Sequence, residues 1–234
     1  MQIGGFVRQS SIDWDGKLAA VVFTRGCNLR CFYCHNPSLV LPGLYGGSNL
    51  IADGEVLEIL RKRAGFLDGV VITGGEPTMQ PDLLDFLRQV KNLCGMPVKL
   101  DTNGTNPKML SAAISEKLAV CVAMDIKHKL DYASYRQISP NLTTEQFDKI
   151  LESVEILRAA DIEAIFRTTL AATLRKSPEC FPEQSSSFRE KIFPQYPTTK
   201  TRLKHVEPFQ PRQSCRSAPS DLSAIPKFHA DTAE

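Results

Sequence analysis

Three cysteines within eight residues constrain this chain more than any other feature. Cys27, Cys31 and Cys34 follow the spacing Cys-x3-Cys-x2-Cys, so one loop can turn all three thiols toward a single point without help from distant parts of the chain. Thiolates hold iron–sulfur clusters, and they also bind structural zinc ions. The spacing therefore predicts that this loop binds metal.

The number of ligands favours an iron–sulfur cluster over zinc. A structural zinc site normally has four protein ligands, and the sequence contains no Cys-x2-Cys or His-x3-His pair elsewhere that would complete one. His35 is the only nearby candidate for a fourth ligand. Three protein ligands on a four-iron cluster leave one iron open to an outside ligand, which suits catalysis. Zinc, and a reduced loop with three incidental cysteines, remain as alternatives.

Length, charge and cysteine usage limit the classes of protein to which the chain can belong. Its 234 residues fit one domain, or one domain with a tail, and the net charge of +2 predicts neither nucleic acid nor a membrane surface as partner. Seven cysteines, without a charged and then apolar leader over residues 1–5, predict a reducing, cytoplasmic location. No run approaches the roughly 20 apolar residues of a membrane helix. Four isolated cysteines are expected in the core: Cys94, Cys121, Cys180 and Cys215.

Strands and helices are predicted to alternate along most of the chain. Residues 1–17 form a short leader with a turn over 12–17, and five apolar runs are predicted as buried strands: 18–24, 69–73, 98–100, 119–126 and 163–168. Four helices are predicted between these strands. The first begins near a cap at Asp53, and the second begins near Pro81 and has apolar positions up to Leu93. The third spans about 107–117, and the fourth begins at a capping box of Thr143 and Gln146. This alternation predicts a parallel α/β sheet whose ligand lies at the carboxyl ends of the strands.

The character of the chain changes after residue 169. Residues 170–234 contain eight of the fifteen prolines and no glycine. The prolines are expected to interrupt any long helix or strand in this segment. One short strand is predicted around 203–207, and the final residues are predicted to be disordered. We therefore divide the chain into a core over 1–169 and a divergent proline-rich segment over 170–234 that is partly ordered at best.

The cysteine loop resembles a known signature. With Tyr33 directly before the last cysteine, it resembles the motif of the radical S-adenosylmethionine (SAM) superfamily, and residues 23–37 are similar to the subgroup that activates glycyl-radical enzymes. Within that subgroup the chain is most similar to activating proteins of anaerobic ribonucleoside-triphosphate reductase, with pyruvate formate-lyase activating enzymes next. The resemblance covers about residues 6–169 and implies a partial (β/α)6 barrel with parallel strands.

The resemblance also implies the chemistry. Three cysteines would hold one 4Fe–4S cluster, SAM would chelate the open iron, and reductive cleavage would give a 5′-deoxyadenosyl radical that abstracts hydrogen from a glycine of a partner. The implied partners are a glycyl-radical enzyme, which by similarity is the anaerobic reductase, and an electron donor such as flavodoxin or ferredoxin. No protein side chain is expected to be catalytic. A pyruvate formate-lyase-type activating enzyme and a non-catalytic iron–sulfur or metal-binding protein remain as alternatives.

The resemblance assigns cofactor contacts to motifs that follow the predicted strands. Gly74, Gly75 and Glu76 would receive the amino group of SAM, and Tyr33 would pack near its adenine. A second set would surround the cofactor carboxylate, in some activating enzymes together with a monovalent cation: Asp101, Thr102, Asp125, Lys127 and Arg167. The alternatives are strand-end capping, a surface Lys–Asp pair, a structural arginine salt bridge and a plain core contact for the tyrosine. His35, Trp14 and Asn36 receive no role.

Overall fold

A computed structural model describes residues 1–45, 50–169 and 202–206. Seven strands form one sheet: β1 (Ile3–Ser10), β2 (Ala19–Thr24), β3 (Gly69–Gly74), β4 (Val98–Thr102), β5 (Cys121–Asp125), β6 (Glu163–Thr169) and β7 (Arg202–Val206). The helices are α1 (Pro37–Val40), α2 (Asp53–Lys62), α3 (Leu83–Gln89), α4 (Pro107–Ser115), α5 (Tyr132–Ile138) and α6 (Thr144–Ala159). In these stretches, no helix has the length and apolar character needed to cross a bilayer.

The order of the strands in the sheet follows their order in the chain. Strands β2 to β7 are parallel, and β1 pairs with β2 in the antiparallel direction. Strands β2 and β3 are almost completely buried, which explains why their sequences read as continuous apolar runs. Parallel strands that each lie beside their successor, joined through helices, are the arrangement of a (β/α) barrel. The predicted α/β fold with parallel strands is confirmed.

The two faces of the sheet differ, and this difference positions the site. Helices cover one face, where Leu100, Met124 and Phe166 join the main hydrophobic core. The other face carries a smaller cluster of mostly small side chains around Trp14, which is 3% exposed. Because side chains alternate along a strand, four charged residues lie on the same face as this smaller cluster: Lys99, Asp101, Asp125 and Arg167.

Several predicted elements are confirmed with small shifts of their ends. Thr143 and Gln146 form the predicted capping box at the start of α6. The strand predicted around 203–207 is β7, which pairs with β6. Cys94 and Cys121 are buried as expected. Cys180, Cys215 and the predicted terminal disorder lie outside the described residues.

Three local predictions were wrong. The leader contains strand β1, which the sequence hides because most of its side chains are only partly buried or exposed. Asp53 is not the cap of α2: Ala52 holds that position, and the Asp53 carboxylate accepts a 2.6 Å hydrogen bond from the amino-terminal ammonium of Met1. Leu93 is 56% exposed rather than apolar-facing, because a π-helical turn over Val90–Cys94 changes the phase of the helix after α3.

Candidate active site

The cysteine loop follows β2 directly and is held in place by the end of helix α5. The Phe32 nitrogen donates to the Ile138 carbonyl over 3.1 Å, and the Arg30 nitrogen donates to Ser139 Oγ over 2.7 Å. Helix α5 was not predicted from the sequence. The loop therefore takes its shape from a segment more than 100 residues further along the chain.

The turn after β4 contacts the loop from another side. Asn103 Nδ2 lies 3.7 Å from the Cys27 sulfur and 3.0 Å from Asn28 Oδ1. Asn28 in turn donates to Thr105 Oγ1 over 2.8 Å. No role was predicted for these amides, although Asn103 lies in the strand-end stretch Asp101-Thr102-Asn103-Gly104. Asparagine at a strand end is also common in turns, so sequence alone carries little signal.

Two thiols of the loop, those of Cys27 and Cys31, lie in surroundings that disfavour their charged form. Burial, with a contribution from the Glu76 carboxylate, raises the pKa of Cys27 to about 12, and burial also raises the pKa of Cys31. A bound cation reverses this preference, since a coordinating thiol loses its proton. Because the Leu29 backbone nitrogen also donates to the Cys27 sulfur over 3.4 Å, two N–H groups favour a negatively charged sulfur at this position.

This donor set fits an iron–sulfur cluster. Three cysteine thiols from one loop are the ligands that such clusters take, and the N–H donors at Cys27 are the hydrogen bonds that cluster sulfurs accept. Within the described residues, no three His, Cys, Asp or Glu side chains are grouped tightly enough to hold a single metal ion. His35, the one fourth ligand that the sequence suggested, is exposed.

The Gly74-Gly75 turn packs directly against the start of the cysteine loop. Gly74 has a φ of +120°, and a Cβ added to Gly75 would lie 2.0 Å from the Gly26 carbonyl oxygen. The Gly75 nitrogen donates to the Thr24 carbonyl and the Glu76 nitrogen to the Gly26 carbonyl, over 2.9 and 2.8 Å. Both glycines are therefore required for backbone packing between two strand ends, whatever else they contact.

Glu76 joins the turn after β3 to the turn after β4. Its carboxylate is 1% exposed and accepts four hydrogen bonds: from the nitrogen and hydroxyl of Thr78, from the Thr102 hydroxyl and from the Asn103 nitrogen. Burial raises the pKa of Glu76, whereas these four donors favour the ionised carboxylate. Thr102, which the sequence placed beside the cofactor, contacts Glu76 instead of lying among the charged residues.

The remaining predicted residues form one network of charges across β4, β5 and β6. The Arg167 guanidinium lies between two carboxylates, 3.0 Å from Asp101 and 2.9 Å from Asp125. Lys127 Nζ is 2.9 Å from Asp125, and Lys99 Nζ is 3.0 Å from Asp101. The repulsion expected between two neighbouring aspartates is thus offset by cations of the protein itself.

This network fixes the charge of Asp125 and of Lys127. Burial opposes ionisation of Asp125, but Arg167 and Lys127 hold the pKa of its carboxyl at about 2. Burial would lower the pKa of Lys127, yet Asp125 raises it well above its ordinary value. At neutral pH Asp125 and Lys127 are therefore both charged and form an ion pair.

Tyr33 connects the cysteine loop to the end of β5. Its hydroxyl lies 3.5 Å from the Lys127 carbonyl oxygen, and its ring meets Phe32 edge-on with centroids 5.1 Å apart. The structure thus brings the predicted residues to one edge of the sheet, where the carboxyl ends of the parallel strands meet. This is the edge at which open α/β sheets bind ligands.

Comparison with known proteins identifies the family. The model of the radical SAM superfamily matches residues 21–177, which include the cysteine loop and every predicted site residue. The chain belongs to the radical SAM superfamily. Membership in this superfamily implies a 4Fe–4S cluster and SAM, and the donor set of the cysteine loop agrees with the cluster.

Among curated relatives of this radical SAM protein are activating enzymes. A protein of Methanocaldococcus jannaschii with the provisional name glycyl-radical enzyme activating enzyme is 34% identical over 170 residues, covering 71% of this chain and 67% of that one. The pyruvate formate-lyase-activating enzyme of Clostridium pasteurianum is 33% identical over 173 residues, covering 72% and 68%. The chain spans about two thirds of the length of these relatives.

Solved structures show the same fold. The structure described as native anSMEcpe with bound AdoMet has a TM-score of 0.54 and 18% sequence identity, covering 83% of this chain and 52% of that one. The chain spans about half the length of that protein. At this level of identity the likeness concerns the fold alone.

Proposed function

We propose that this radical SAM protein activates a glycyl-radical enzyme by removing hydrogen from a glycine Cα of that partner. The observation that carries the proposal is the cysteine loop, enclosed by α5 and by the β4 turn and packed against Gly74-Gly75. The two activating enzymes that share about a third of their residues with this chain support it. We propose anaerobic ribonucleoside-triphosphate reductase as the partner, from the similarity of residues 23–37.

In this proposal the protein holds and shields a reactive cofactor. Cys27, Cys31 and Cys34 would bind the 4Fe–4S cluster, which together with SAM supplies an electron and an organic radical. The turn over residues 74–76 would receive the amino group of SAM. Because an ammonium group donates hydrogen bonds and the Glu76 carboxylate already accepts four, we propose that backbone carbonyl oxygens of this turn accept from it.

The charged network would serve the carboxylate end of SAM. Arg167 and Lys127 pair with Asp101 and Asp125 at the carboxyl ends of the strands, and a guanidinium is well suited to bind a carboxylate. Tyr33 would lie near the adenine. A monovalent cation beside the two aspartates stays a prediction, since Arg167, Lys99 and Lys127 already offset their charge.

The cellular setting follows from this chemistry. A glycyl radical and a reduced cluster require a reducing environment, so we propose a cytoplasmic location. We also propose a small electron-transfer protein such as flavodoxin or ferredoxin as the reductant. Neither nucleic acid nor a membrane is expected as a partner of a chain with a net charge of +2.

The identity of the partner is tested by an activation assay with purified proteins. The iron-reconstituted protein, SAM and a reductant are incubated without oxygen with purified anaerobic ribonucleotide reductase or with pyruvate formate-lyase, and the glycyl radical is counted by electron paramagnetic resonance (EPR). We expect the radical on the reductase and none with the Cys31→Ala variant. A radical only on pyruvate formate-lyase would reassign the partner, and no radical on either would overturn the choice of both partners.

Pyruvate formate-lyase is the second candidate partner. The 33% identity to the Clostridium pasteurianum activating enzyme favours it. The two candidates share the same chemistry in this chain, and they differ only in the surface that the partner's glycine loop must fit.

A further inference from the structure

Asn103 presents its side-chain amide to a cysteine of the cluster-binding loop, and it is not among the residues that the superfamily resemblance assigned. It lies in the turn after β4 and is 5% exposed. Its Nδ2 atom lies 3.7 Å from the Cys27 sulfur, within the range of an N–H···S hydrogen bond. A hydrogen bond from this amide to the sulfur would therefore affect a cluster that the sulfur binds.

The hydrogen-bond network determines which end of the amide faces the sulfur. The Thr105 backbone nitrogen, which can only donate, lies 3.0 Å from Asn103 Oδ1, and the Thr105 hydroxyl lies 2.7 Å from the same atom. The oxygen must therefore face Thr105. Nδ2 is left to donate to Cys27 and to Asn28 Oδ1, which is 3.0 Å away.

The backbone of Asn103 is fixed as well. Its nitrogen donates to Glu76 Oε2 over 2.7 Å, and Glu76 is held by Thr78 and Thr102. This buried carboxylate thus sets the position from which the amide reaches the sulfur. Such support is typical of residues that tune a metal centre through its ligands.

We propose that Asn103 raises the reduction potential of the cluster through its hydrogen bond to Cys27. Reduction adds negative charge to the cluster and its sulfurs, and a donor N–H stabilises that charge more in the reduced than in the oxidised state. Leu29 supplies a second, backbone donor to the same sulfur, which a side-chain substitution leaves in place. The inference rests on the proposed cluster and concerns its potential, not the identity of the partner.

The test is an EPR-monitored redox titration of the reconstituted full chain without SAM, accompanied by iron and sulfide analysis. For Asn103→Ala we expect normal iron content and a reduction equilibrium three- to tenfold less favourable, or about 30–60 mV lower in potential. Asn106→Ala is the matched control. It lies in the same turn, where its amide contacts Thr78 and Met109 and not the cysteines.

Each result bears on the proposal. If the cluster of Asn103→Ala has the same reduction potential as the cluster of the parent protein, the proposal is wrong. If that variant does not load iron, Asn103→Leu removes the donor at a similar side-chain size and adds no charge, and a lower potential supports the proposal. Loss of the cluster from both variants, with Asn106→Ala normal, would assign Asn103 to holding the loop and overturn a role in the potential. A parent protein without a 4Fe–4S cluster would instead contradict the proposed function.

Discussion

At the scale of single residues, the site depends on buried polar groups whose partners are fixed. Glu76 accepts four hydrogen bonds from three residues, two of which, Thr102 and Asn103, lie at the end of the neighbouring strand β4. A buried carboxylate of this kind is stabilising only while its donors are paired with it. Glu76 also accepts from the backbone nitrogen of Asn103, whose side-chain amide contacts Cys27. A substitution of Glu76 is therefore expected to affect both the stability of the fold and the surroundings of Cys27.

Replacing Glu76 by glutamine tests this role. In Glu76→Gln an amide NH2 must face either the Thr78 or the Asn103 nitrogen, and two donors would then oppose each other. We expect the free energy of unfolding to fall by about 1–3 kcal/mol, measured by urea denaturation. Glu58→Gln is the control, because Glu58 is 59% exposed and pairs with Lys62 at the surface. Equal stability of the two variants would contradict the account.

Asp125 gives a prediction about pH. Its folded pKa of about 2 lies below the value of about 3.9 expected in the unfolded chain. Its charge therefore stabilises the fold fully above about pH 4, and this contribution is lost as the pH falls toward 2. We expect Asp125→Asn to be less stable than the parent by about 1–2 kcal/mol at pH 7, after allowance for partial exposure.

The difference between the parent and Asp125→Asn should close between about pH 4 and pH 2. Unfolding of both proteins, before iron is loaded, would be followed across this range. Asp161→Asn, at an exposed position, serves as the control. A stability difference that stays constant down to pH 2 would show that Asp125 is not held in its charged form by Arg167 and Lys127.

At the scale of elements, the ends of helices are set by identifiable side chains. Thr143 caps α6: its hydroxyl accepts from the Gln146 nitrogen, and the Gln146 side chain accepts from the Thr143 nitrogen. Thr143→Ala removes the first of these bonds, and we expect a loss of about 1 kcal/mol in the free energy of unfolding.

Thr144→Ala is the matched control for Thr143→Ala. Thr144 is the first helical residue and is exposed, so alanine there should be neutral or slightly stabilising. Both variants would be compared by thermal or urea unfolding. A loss as large in Thr144→Ala as in Thr143→Ala would mean that the cap does not determine the start of α6.

Elements with a strong local pattern could be predicted from the sequence, and those without one could not. Buried strands such as β2 and β3 consist of apolar residues, so they are visible in the sequence. Strand β1 pairs through its backbone while most of its side chains remain partly exposed. The seven-residue helix α5 is too short for a clear period, although its end holds the cysteine loop.

The candidate site shows the same limit. Residue types and spacing predicted the cysteines and the strand-end motifs, because metal and cofactor chemistry demands those types. The partners could not be predicted: Arg167 meets Asp125 because β5 and β6 pair in that register, and Asn103 meets Cys27 because two turns lie side by side. Such contacts depend on register and turn geometry, which local sequence does not specify.

At the scale of the whole molecule, the sheet collects separate motifs at one edge. The cysteine loop follows β2, the Gly74-Gly75-Glu76 turn follows β3, and the charged residues end β4, β5 and β6. Among the described residues, helices pack on one face of the sheet, and Asp101, Asp125 and Arg167 lie on the other. This arrangement agrees with a radical SAM protein that holds its cluster beside a polar cofactor site.

The most direct test of this account is the EPR spectrum of the reduced, iron-reconstituted protein with and without SAM. We expect a 4Fe–4S signal that changes when SAM is added, because three cysteine ligands leave one iron open, and we expect 5′-deoxyadenosine as the product. The Cys31→Ala variant should give neither. A 4Fe–4S signal that saturating SAM leaves unchanged, without any 5′-deoxyadenosine, would contradict the central claim.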